Sequence, residues 1–157
     1  MKRILLWIFG LGVAMTIAAA AYFRTAPDDP AIWHVDPVTV ERSGNPNEYI
    51  VAPEDLRSDA PDRVAAVRNG SPKDILFQFD SIASPGSTVL AGSLEDLHIT
   101  YVQRTTVMGY PDYISVKAVE VDGGAALVIY SRSRFGNSDF GVNQKRIDGW
   151  LAKIGGS

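Results

Sequence analysis

A chain of 157 residues is long enough for one domain with a sizeable core, and the absence of cysteine excludes disulfides, thiolate metal sites and cysteine nucleophiles. The net charge of −3 is unevenly spread: residues 1–24 hold Lys2, Arg3 and Arg24 and no acid, so residues 25–157 hold 12 basic and 18 acidic residues, a net of −6. A domain that acidic speaks against nucleic-acid binding, which depends on neutralising phosphates.

Lys2 and Arg3 precede an uncharged run from Ile4 to Tyr22. Those 19 residues would span about 28 Å as a helix, close to the ~30 Å hydrocarbon core of a bilayer. Two readings stand, a transmembrane anchor or a signal segment cleaved near Ala18 and Ala20. The run is longer than the apolar region of about 7–15 residues usual in a signal, which favours the anchor. The positive-inside rule keeps Lys2 and Arg3 in the cytoplasm and sends the rest across, to the periplasmic side of a bacterial inner membrane. Residues 25–32, "TAPDDPAI", read as a tether, and the domain is expected over 33–157.

Two short β-rich runs come next, Val38–Glu41 and Glu48–Val51, separated by the turn formers Gly44 to Asn47. The polar stretch 54–70 reads as loop or short helix. Ser71 is then a cap and Pro72 a first helical residue. Ile75, Leu76, Phe79 and Ile82 make one apolar stripe, which Pro85 and Gly86 end. Strands are expected in "STVLAGS", "HITYVQRTTV", "DYISVKAVEV" and "AALVIYSRSRF", the last two joined by a hairpin at Asp122-Gly123-Gly124. A final helix carries Ile147, Trp150, Leu151 and Ile154 on its apolar face, with Asn143 or Ser138 as cap and Gly155 and Gly156 as its end. The fold class is therefore α+β: an N-terminal membrane helix, then a mostly antiparallel sheet with two packed helices.

The stretch "SRSRFGNSDFGVNQKR", residues 131–146, stands out chemically. Arg132, Arg134, Lys145 and Arg146 face Asp139 alone, a local charge of +3 on an acidic domain. Along a strand, Ser131 and Ser133 point one way and Arg132 and Arg134 the other. Glycines then lead into a helix start, whose free N–H groups attract anions. This makes Ser131, Arg132, Ser133, Arg134, Ser138, Asn143, Lys145 and Arg146 a candidate site for a phosphate, carboxylate or lipid headgroup. The competing reading is a structural corner. A three-residue hairpin loop would put Asp112 opposite Arg134 and Ile114 opposite Arg132, and Asp139 is free to cap the helix or hold Arg132.

"SRSRFGNSDFGVNQKRIDGWL", "TYVQRTTVMGYPDYISV" and "WHVDP" together resemble the uncharacterised family catalogued as domain of unknown function 1499. The resemblance spans about residues 33–154. It implies a single shared fold and supplies no activity. The family often has Arg where this chain has Gln144.

Other chemistry has thinner support. His34, Asp36 and His98 include metal-ligand types, but the two histidines lie 64 residues apart and no metal is expected. A serine hydrolase would need Ser131 or Ser133 with His98 and Asp112, yet no nucleophile-elbow sequence is present. Adjacent acids such as Asp28-Asp29, Glu54-Asp55 and Glu95-Asp96 read as solvated surface. No phosphate loop or dinucleotide fingerprint occurs, so no cofactor is expected. The sequence thus favours a non-catalytic, membrane-anchored envelope protein that binds an anionic lipid, envelope polymer or protein partner. A hydrolase-like enzyme or a pure scaffold are the alternatives.

Overall fold

A computed structural model of the chain describes residues 1–154. Helix α1, Lys2–Thr25, buries no residue and has a mean hydropathy of 2.2 over its most apolar window. It is long and apolar enough to cross a membrane, a property that N-terminal signal sequences share. One turn of helix, α2 (Pro30–Trp33), follows. Asp29 caps it by accepting from the Ala31 amide.

The strands are β1 (Glu48–Ala52), β2 (Arg63–Val64), β3 (Thr88–Ser93), β4 (His98–Arg104), β5 (Pro111–Val121) and β6 (Gly124–Ser133). They form one sheet in the order β2-β1-β6-β5-β4-β3. Only the β1–β2 pair is parallel. Helices α3 (Pro72–Ala83) and α4 (Val142–Ile154) pack on one face, which gives the expected α+β architecture.

Helix α3 starts where its sequence predicts. The Ser71 hydroxyl accepts from the Asp74 amide and the Asp74 carboxylate accepts from the Ser71 amide, a complete capping box with Pro72 just inside it. Ile75, Leu76 and Phe79 are buried and Ile82 is half-buried against the same core. Ile147, Trp150 and Ile154 of α4 complete it, with Phe79 and Trp150 edge to face at 5.6 Å. Each such side chain, fully buried, contributes about 1.5–3 kcal/mol. This layer, rather than helix propensity, holds both helices on the sheet.

Four expectations are corrected. Val38–Glu41 is not a strand. Asp36 accepts from the Val38 amide and folds this segment into a turn. The polar stretch 54–70 contains β2 and a bridge from Arg68 to Ala125. The hairpin has a two-residue loop, Asp122-Gly123, because Gly124 already pairs with Val121. Every partner therefore slips by one: Asp112 faces Ser133, and Tyr113 faces Arg132. Finally, neither Asn143 nor Ser138 caps α4. The Asp139 carboxylate does, accepting from the Asn143 and Gly141 amides. The expected glycine end at Gly155 and Gly156 lies outside the described residues.

The other sheet face is covered by chain rather than helix. A small cluster of Ile50, Ala52, Val128 and Tyr130 receives Val35, Val38 and Val40 from the segment that follows α1. Residues 26–42 thus lie as a strap across the sheet. The strap includes most of the stretch read as a tether, residues 25–32.

Candidate functional site

The motif at 131–146 straddles the two faces of the sheet, and its alternation sorts the side chains as the sequence indicates. Ser131 and Ser133 point toward the helices. Arg132 and Arg134 point toward the strap.

On the helix side the polar groups satisfy one another. The Ser131 hydroxyl donates to Asn143 Oδ1 at 2.6 Å. Asn143 Nδ2 donates to the Asn47 carbonyl at 3.0 Å and to Ser133 Oγ at 3.1 Å. Ser133 in turn donates to Asp112 Oδ1 at 2.6 Å. Arg146 closes the ring, with Nη1 on Asn143 Oδ1 and Nη2 on Asp112 Oδ2, at 2.7 and 2.6 Å. Asn143 is only 1 % exposed, and the Arg146–Asp112 pair is nearly as enclosed. A buried polar network holds its geometry when every member has a partner, as here. The cation early in α4 therefore finds its acid inside the molecule. Asp112 serves Arg146 and Ser133, and the pairing of Asp112 with Arg134 expected from a three-residue loop does not form.

On the strap side Arg132 is 5 % exposed and has no carboxylate partner among the described residues. Its Nη1 donates to Ser115 Oγ at 3.1 Å and to the Tyr130 carbonyl at 3.2 Å, with a longer contact of 3.5 Å to the Tyr113 carbonyl. Its Nη2 donates to the Trp33 carbonyl at 2.5 Å. The rings of Trp33, Tyr113 and Tyr130 surround the guanidinium at 4.7–5.9 Å, close enough for cation–π attraction. Burial without a counter-ion pulls its pKa down to about 10. Trp33 itself lies flat on Tyr113, 4.0 Å between ring centres.

Other donors hold the strap beside this point. Arg134 Nη1 donates to the Pro27 carbonyl at 2.8 Å. Arg104 donates to the carbonyls of Phe23 and Ala26 and to the Asp28 carboxylate. Tyr113 donates to the same carboxylate, and burial with that neighbour raises the phenol to about 12. Lys117 binds Asp36, while Arg57, almost fully buried, reaches the carbonyls of Pro37 and Val40.

The two histidines meet under the strap, their rings stacked at 4.0 Å. His34 Nδ1 bonds Thr100 Oγ1 at 2.8 Å, and Thr100 bonds Ser115 at 3.0 Å. A hydrogen-bonded line thus runs His34–Thr100–Ser115–Arg132. His98 donates from Nε2 to the Val35 carbonyl. Burial, followed by the adjacent His34, lowers the His98 pKa.

This arrangement separates the groups that a serine hydrolase would need. Ser131 and Ser133 lie on the helix face, whereas His98 lies on the strap face with the sheet between them. The metal grouping is not assembled either. Lys117 occupies the Asp36 carboxylate, and among the described residues no three metal-ligating side chains converge.

Of the eight residues singled out for an anion, Ser131, Arg132, Ser133, Arg134, Asn143 and Arg146 are engaged internally. Ser138 is exposed and accepts from the Phe140 amide. Lys145 is exposed, and Arg134 is partly so. Sequence reasoning missed Asn47, Asp28, Arg104 and Tyr113 as members of this constellation. A signal was present, because "WHVDP", "TYVQRTTVMGYPDYISV" and "SRSRFGNSDFGVNQKRIDGWL" are the segments that meet here. No curated protein matches the chain. A family profile covers residues 32–154, most of the part outside α1, and the chain belongs to that family, described as "Protein of unknown function (DUF1499)".

Proposed function

We propose that the chain is a non-catalytic, membrane-anchored envelope protein whose 131–146 motif clasps the domain to the segment leaving the membrane. In this reading α1 spans a bacterial inner membrane, Lys2 and Arg3 stay in the cytoplasm, and the domain sits on the periplasmic side. One observation carries the clasp. Arg104 at the end of β4, and Arg132 and Arg134 at the end of β6, donate to main-chain carbonyls between Phe23 and Trp33, so two strands grip the last turn of α1 and the chain just beyond it. A domain held in this way presents its surface at a fixed height and orientation, which suits a binding or accessory role. Cleavage near Ala20 leaves all of these contacts in place, so a periplasmic form without α1 retains the strap.

A second reading keeps an anionic ligand, such as a headgroup, an envelope polymer or an acidic partner, at Arg134 with Lys145 and Ser138. It is favoured by Arg134, which lacks a carboxylate partner among the described residues. Arg132→Gln and Arg134→Gln in the full chain, in neutral detergent, separate the two. The clasp predicts that Arg132→Gln lowers the melting temperature and opens residues 26–42 to protease, with no saturable binding of glycerol phosphate by the wild type. Binding of glycerol phosphate that Arg134→Gln abolishes without a change in melting would replace the clasp with the ligand reading.

A further inference from the structure

The end of the sheet that receives α1 carries apolar side chains that the rest of the chain leaves uncovered. Residues 105–110 join β4 to β5, and residues 134–141 leave β6. Both loops lie at the same sheet end, because Arg104 pairs with Pro111 and Asp112 with Ser133. The last turn of α1 is seated between them. Phe23 rests on Tyr110 at 4.4 Å and on Phe135 at 4.8 Å, and Arg24 donates to the carbonyls of Thr106 and Val107 at 2.7 and 2.9 Å. Gly109 is fitted to this seat: its φ is +75°, and a Cβ there would lie 2.2 Å from Arg24 Cγ.

On these two loops Val107 is 78 % exposed and Phe140 is 88 % exposed. Phe140 holds a φ of 53°, a left-handed conformation that bulky side chains avoid. Ser138 and the Asp139 cap fix the turn around it. A corner that served only to reverse the chain would favour Gly or Asn at such a position. The uncharged run of α1 ends at Tyr22, so the headgroup layer lies level with Tyr22 and Phe23, the depth at which aromatic residues gather.

We propose that loops 105–110 and 134–141 form a membrane-contacting rim, with Val107 and Phe140 inserted into the interfacial layer of the bilayer around α1. The occupant of this apolar surface is lipid. Exposed Arg24 and Lys145 supply cations for headgroup phosphates at the same end. The inference rests on the reading of α1 as a membrane span and adds a second, independent set of lipid contacts.

The absence of native cysteine makes single-site labelling clean. Leu11→Cys, Val107→Cys, Phe140→Cys and Asp122→Cys, the last in the hairpin at the far end of the sheet, each carry an environment-sensitive fluorophore in the full chain. The chains are reconstituted in vesicles of phosphatidylcholine and phosphatidylglycerol. Spin-labelled phosphatidylcholine quenches from just below the headgroup or from the chain end. The rim predicts that labels at positions 107 and 140 lose most of their emission to the shallow quencher, position 11 to the deep quencher, and position 122 to neither. Quenching at position 11 with positions 107 and 140 behaving like 122 overturns the rim and leaves the anchor standing. No quenching at any position overturns both. A bright but unquenched label at position 140 means protein covers Phe140, and overturns lipid as the occupant. Melting of each labelled variant near the wild-type value verifies that the fold is intact.

Discussion

Replacing Arg132 by Gln tests the clasp where it is most concentrated. The guanidinium gives three short hydrogen bonds, to the Trp33 carbonyl, Ser115 Oγ and the Tyr130 carbonyl, at 2.5, 3.1 and 3.2 Å. A bond to a charged group contributes about 1.5–3 kcal/mol, so the three together give roughly 4.5–9 kcal/mol. The surrounding rings add about 1 kcal/mol or more. Against this stands the cost of burying the charge: with the pKa down to about 10 from 12.5, the conversion of about 1.4 kcal/mol per factor of ten gives about 3 kcal/mol. The difference is centred near 4 kcal/mol, and Gln recovers one of the bonds, so the expected loss is about 3 kcal/mol. For a domain of this size that lowers the melting temperature by about 6–12 °C. Circular dichroism melts of the full chain in detergent measure it. A variant that melts within about 1 °C of the wild type would show that the guanidinium stabilises nothing and refute the clasp.

Three further outcomes follow from the same structure. Arg146→Gln leaves Asp112 buried without its cation, so chemical denaturation should show a loss of about 3–5 kcal/mol, much more than an exposed ion pair is worth. Ser71→Ala removes one half of the capping box of α3 and should cost about 1 kcal/mol in the same assay. Because the fold lowers the His98 pKa, protonation there favours the unfolded chain: stability is complete above about pH 6.5 and is lost progressively as pH falls below that value toward the folded-state pKa. Melting temperatures between pH 8 and pH 5 should decline on the acid side, and His98→Gln should flatten that part of the curve.

The helices were legible in the sequence because their signals are local. Ser71-Pro72 and the stripe ending at Ile82 lie within one stretch of chain, as do Ile147, Trp150 and Ile154. The hairpin was legible in kind but not in register, since a loop of two residues instead of three moves Asp112 from Arg134 to Ser133. The strap was not legible. Residues 26–42 have no periodicity, and their conformation is fixed by side chains far along the chain: Arg104 on Ala26, Arg132 on Trp33 and Arg134 on Pro27. The arginines and serines of the motif stand out in the sequence. What composition does not reveal is that Arg132 and Arg146 have partners inside the molecule: main-chain carbonyls for Arg132 and Asp112 for Arg146.

The most direct test of the clasp is amide hydrogen exchange of the full chain, wild type against Arg132→Gln, read at Trp33, His34, Val38 and Val40. These amides are hydrogen-bonded within the strap itself, to Asp29, Pro30 and Asp36. They are expected to lose protection in the variant while the paired amides of β5 and β6 keep theirs. Unchanged protection of the strap in Arg132→Gln would contradict the clasp.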